Sequence, residues 1–102
     1  MSANLANITI DDFRPLLGTA LTINIAEGQS VQAVLSEVSS LGRNTAGNRE
    51  SFRLLMHVPA TWQAPQRIYD LVHPRLGVLP LFMVPLGRGK LGMCLEVVFN
   101  LL

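Results

Sequence analysis

The chain has 102 residues, 49% of them apolar and 15% charged, with eight Lys and Arg against seven Asp and Glu. That length suits one domain, residues 1–102, able to bury its own core. The near-neutral balance, with no concentrated basic face, argues against nucleic-acid binding. A lone cysteine, Cys94, excludes an intrachain disulfide and a cysteine-based zinc site.

Residues 1–7 read as an arm ahead of the domain. With Asp11 and Asp12 and no basic stretch before Arg14, no signal peptide is expected. The expectation is synthesis in the cytoplasm, which leaves room for a role in a released or extracellular assembly. Thr9 then suits the cap of a helix, Asp12 stands at its third position, and Ile8 and Phe13 have the spacing of a hydrophobic staple. Pro15 keeps this helix short and Gly18 suits its end. Next the period changes to two: Leu21, Ile23 and Ile25 alternate with polar or small residues, and so do Val31, Ala33 and Leu35 after the short connection Glu27–Ser30. Ser39 to Glu50 is polar, glycine-bearing and without period, which predicts a surface loop.

Phe52, Leu54, Met56 and Val58 mark one face of a third strand, and Pro59 to Pro65, with Trp62, a further loop. Ile68–Val72 is a fourth strand, with Tyr69 and Leu71 on one face. His73–Gly77 is a tight turn and Val78–Val84 a fifth strand, edge or bulged at Pro80 because proline donates no ladder bond. Leu86–Gly92 is an exposed turn, and Met93–Leu101 a sixth strand. The fold class expected is mainly β: a small six-stranded antiparallel sandwich or partly open barrel with one short N-terminal helix. No membrane-spanning helix is expected, because the longest apolar stretch, Leu76–Leu86, holds Gly77, Pro80 and Pro85.

Strands five and six carry continuous apolar runs, the pattern of burial on both faces. One short helix covers little of that surface, so a second subunit is expected on it, with Leu79, Leu81, Met83, Val98 and Leu102 as the interface; the alternative is that these residues lie in the second layer of an ordinary sandwich. At roughly 1.5–3 kcal/mol per large side chain removed from water, such a set holds subunits together.

The polar residues give no catalytic or metal constellation. His57 and His73 are sixteen positions apart, with no cysteine or carboxylate at ligand spacing. Asp11 and Asp12 are explained by the helix start. Glu96, inside an apolar strand, faces solvent or pairs with an arginine such as Arg53 or Arg67. Cys94 reads as a small buried hydrophobe. The glycines of Gly87–Gly92 lack the Lys-Ser/Thr step of a phosphate loop. No catalytic residue, metal or cofactor is therefore assigned. The leading reading is a non-enzymatic structural or interaction protein. A small-ligand-binding barrel with a pocket of Trp62, Tyr69 and His73 is the alternative, and an enzyme built on His73 and Glu96 is the weakest.

Several segments together resemble a family of small bacterial domains of unknown function, often found near phage-tail-like collar and fibre proteins. They are Phe13–Gly18 (Phe-Arg-Pro-Leu-Leu-Gly), Phe52-Arg53-Leu54, Gln66, Tyr69, His73–Gly77 (His-Pro-Arg-Leu-Gly), Leu81–Pro85 (Leu-Phe-Met-Val-Pro) with Gly87, and Gly92-Met93 leading to Glu96–Asn100 (Glu-Val-Val-Phe-Asn). They span residues 10 to 100, and the His-Pro-x-Leu-Gly step followed by Leu-Phe-x-Val-Pro carries most of the likeness. The chain departs from that pattern at Arg67, where glycine is usual, and at Leu95, where an aromatic is usual. The resemblance implies a compact β domain with a structural role beside assembly proteins, its partner a second copy or a tail- or fibre-like protein. It implies no activity.

Overall fold

The computed structural model describes residues 8–44, 49–59 and 65–99. The expected arm at residues 1–7, Trp62 and Leu102 lie outside the described residues.

Six antiparallel strands follow the N-terminal segment: β1 (Ala20–Ala26), β2 (Gln29–Asn44), β3 (Arg49–Val58), β4 (Arg67–His73), β5 (Gly77–Gly89) and β6 (Gly92–Phe99). Their order is β1-β2-β3-β6-β5-β4, and β4 returns to β1, so the sheet curls into a small barrel. The returning seam is short, with only Thr22↔Val72, Ile23↔Leu71 and Asn24↔Asp70 in register. Beyond Asn24 and Asp70 the wall opens.

Two long strands make the corners. β2 pairs with β1 up to Val34 and with β3 from Val34 to Asn44. β5 pairs with β4 from Gly77 to Met83 and with β6 from Val84 to Gly89. Strands that pass from one half of a sheet to another in this way turn a sandwich into a barrel, so both descriptions expected from the sequence apply to one object. A bulge between Leu35 and Glu37 marks the first corner. The inserted residue reverses the alternation: Ala33 and Leu35 point inward, whereas Glu37 and Ser39 stand beside the outward residues of β3.

The interior is filled by side chains from every strand, among them Leu21, Ile23, Leu35, Leu54, Met56, Leu71, Leu79, Met83 and Leu95, all at or near zero exposure. The N-terminal segment closes one end as two successive 3-10 turns, Ile10–Asp12 and Arg14–Leu16. Asp12 accepts the Thr9 amide hydrogen at 2.8 Å, the capping role expected from the sequence. Pro15 stands in the second turn, and Gly18 at φ +84 ends it, its amide donating to the Leu35 carbonyl at 2.7 Å. Phe13 packs at 5.8 Å from Phe52 and 5.5 Å from Phe99, which stack on one another at 4.4 Å between ring centres.

Two sequence expectations are corrected here. The surface loop expected over Ser39–Glu50 is for the most part strand, because β2 runs to Asn44 and β3 begins at Arg49, in register through Gly42↔Ser51, Arg43↔Glu50 and Asn44↔Arg49. This polar two-stranded extension has no greasy face to impose a period, and pairing overrides weak strand propensity. The exposed turn expected over Leu86–Gly92 shrinks to Lys90 and Leu91, since β5 continues to Gly89. Pro80 behaves as anticipated: the β5–β6 ladder begins only at Val84, so Pro80 sits on a locally free edge.

Candidate interaction face and site residues

The proposed interface residues divide by the direction of their side chains. Leu79, Leu81 and Met83 point inward, opposite Leu71, Tyr69 and Arg67, and Leu81 is only 5% exposed. They are core, and the expectation that they form a surface is corrected. Val98 does point outward and is 49% exposed. The run Val78–Val84 is apolar at every position, so its composition leaves open which parity faces water; pairing with β4 decides it.

The outward parity of the same strand carries the apolar surface instead. Ile68 on β4 stands directly across from Phe82 on β5, Asp70 from Pro80, and Val72 from Val78. Ile68 is 63% exposed and Phe82 49%, while Val72 and Val78 are half-buried. Directly opposed residues on one face of an antiparallel pair bring their side chains into contact range. Ile68 and Phe82 thus form one exposed apolar step, continued by Pro80 and the valine pair.

The opposite wall, β2–β3–β6, carries a charged cluster beside the exposed Val34, Leu41 and Val98. Arg53 on β3 donates to Glu37 on β2 at 2.6 Å and to Glu96 on β6 at 3.4 Å, and the Ser39 hydroxyl donates to Glu37 at 2.6 Å. Hydrogen bonds from Ser39 and then Arg53 hold the Glu37 carboxyl below its ordinary range, and Glu37 in turn raises Arg53. Glu96 therefore takes the arginine partner anticipated for it. The ladder places His57 opposite Cys94. Burial, followed by the Glu96 charge, pushes the Cys94 thiol up, the reverse of what an activated nucleophile needs.

Tyr69 and His73 are not brought together. The Tyr69 hydroxyl donates to the Pro65 carbonyl at 2.6 Å, and Tyr69 lines a groove beside the β1–β2 turn. His73 accepts the Arg75 amide hydrogen through Nδ1 at 3.1 Å and lines a separate depression against the 3-10 turns with Asp11, Asp12 and Pro15. The pocket expected from Trp62, Tyr69 and His73 is thus divided between two places, apart from Trp62, which lies outside the described residues. The pairing of His73 with Glu96 also fails on topology. His73 ends β4, Glu96 sits mid-β6 in the Arg53 cluster, and β5 runs between those strands. The exposed Ile68–Phe82 step escaped sequence reasoning, although the outward parity of Ile68 on strand four was legible.

The Domain of unknown function DUF6916 matches residues 8–99. The chain belongs to the DUF6916 family. The match takes in both 3-10 turns and all six strands, so the family unit is the capped β domain described above. No curated protein and no solved structure matches the chain. Among the described residues no helix is long and apolar enough to cross a membrane, and no group of three or more His, Cys, Asp or Glu residues could hold a metal ion.

Proposed function

We propose that this DUF6916 domain is a non-catalytic assembly module that associates with a second copy of itself through the outer face of β4 and β5. The exposed Ile68–Phe82 step, flanked by Pro80 and the Val72–Val78 pair, carries the reading. The occupant packs on the face, not along the edge. Pro80 removes a donor on the free side of β5, and proline there is a device against edge-to-edge pairing. A specific interface buries about 1,200–2,000 Å² in total, so the face works as the centre of a larger contact. The resemblance to domains encoded near tail and fibre proteins supports the broader reading of an assembly part, made in the cytoplasm and carried into a larger structure.

Sedimentation velocity of the full chain across a wide concentration range tests this. The expected result is a dimer or higher oligomer that Phe82→Asp converts to a monomer with an unchanged circular dichroism spectrum and melting temperature. A wild-type chain that stays monomeric at the highest concentration overturns self-assembly. Docking on a tail- or fibre-like protein would then be the reading left by the resemblance.

A further inference from the structure

The barrel wall opens where β1 parts from β4. Continuing the β1–β4 register past Asn24↔Asp70 would pair Ile25 with Tyr69 and Ala26 with Ile68, but the ladder stops. The cause lies in β1, where a bulge between Asn24 and Ala26 disturbs the pairing with β2. A bulge bends its strand and increases its twist, here carrying the end of β1 away from β4. The gap is a groove of about 420 Å³ between the β1–β2 turn and the start of β4, lined among others by Asn24, Glu27, Ser30, Arg67, Tyr69 and Asp70. Gly28, at φ +72, makes the tight turn at its rim.

The charges in this groove are arranged unusually. Arg67 donates to the Ile25 carbonyl at 2.7 Å, and its guanidinium lies 4.9 Å from the centre of the Tyr69 ring. Tyr69 is itself anchored to the Pro65 carbonyl. Arg67 is thus pinned by a backbone oxygen and an aromatic face. Glu27 and Asp70 line the same groove, yet among the described residues neither is ion-paired with Arg67 or with any other cation. A guanidinium has five N–H donors in a rigid fork suited to a carboxylate, and one bond to Ile25 leaves most of them for a ligand. A groove with a fixed cation and separate, unpaired carboxylates complements a molecule that carries both charges.

We propose that the groove between β1 and β4 binds a small zwitterion of the amino-acid or short-peptide class, its carboxylate on Arg67 and its ammonium on Asp70 or Glu27. The site is distinct from the Ile68–Phe82 step, but Ile68 and Asp70 belong both to the groove lining and to the outer face of β4.

The test is a titration of the isotopically labelled full chain followed by amide chemical shifts. Glycine, diglycine and triglycine serve as probes of increasing charge separation, with acetate and methylammonium as single-charge controls. The expected result is saturable shifts confined to residues 24–30 and 67–70, produced by at least one zwitterion and by neither control. Affinity should fall at least about tenfold in Glu27→Gln/Asp70→Asn, a near-isosteric change that keeps the groove, in line with the loss of one charge-assisted hydrogen bond. Arg67→Gln should abolish binding. Absence of saturable shifts with all three zwitterions, equal shifts from acetate, or unchanged affinity in the carboxylate double variant each overturns the proposal.

Discussion

Leu81 shows how much one position depends on direction. It stands opposite Tyr69 in the ladder and is almost wholly covered. Leu81→Asp therefore puts a carboxylate into apolar packing, which costs more than the about 2–5 kcal/mol of an ordinary Leu→Ala truncation. Loss of the cooperative thermal transition, read by circular dichroism, is the expected outcome; a folded Leu81→Asp variant would contradict the inward placement. Its neighbour Phe82, one residue away and outward, should behave oppositely. Glu37 makes a second residue-scale case. Its folded-state pKa is lowered by Ser39 and Arg53, so it stabilises the fold above its unfolded pKa, and that contribution is lost as pH falls through the lowered folded value. Urea midpoints should therefore drop on the acid side of the ordinary carboxylate range. Glu37→Gln should flatten part of that drop and slightly lower the plateau at neutral pH. The pair is partly exposed, so the effect is small and should shrink further in high salt.

At the scale of elements, the two 3-10 turns act as a stopper. Phe13 is fully covered and touches both Phe52 and Phe99, so it joins the N-terminal segment to β3 and β6 at once. Phe13→Ala removes a ring from a site walled by two others, and the expected cost is about 3–5 kcal/mol, measured as a lower urea midpoint with the sheet signal retained below it. This element was legible in residues 8–18 because capping, staple and proline signals are local. The β2–β3 extension was not legible. Ser39 to Asn44 has no period and carries Gly42 at φ +104, and only pairing with Arg49–Arg53 makes it strand. The outward turn of Glu37 was likewise hidden, since it depends on a bulge one residue earlier that no composition signal marks.

For the whole molecule, association through the β4–β5 face and monomerisation by Phe82→Asp form the prediction that matters most, because the apolar excess first seen in strands five and six is only partly absorbed by the barrel interior. Much of that excess is core: Leu79, Leu81, Met83, Leu95 and Val97 all point inward. Phe82, Leu86 and Val98, with Ile68 from strand four, stay on the outside. The sequence by itself determined six antiparallel strands, a capped N-terminal turn and the absence of a recognisable catalytic motif, because period, caps and turn residues act over a few positions. Tertiary structure alone decided which parity of β5 faces the core, that Arg53 gathers Glu37 and Glu96 from two other strands, that Tyr69 and His73 lie apart, and that β1 parts from β4 to open a groove. Each of those outcomes rests on register and on bulges between strands distant in the chain, and a run of residues apolar at every position carries no trace of which neighbour it will meet.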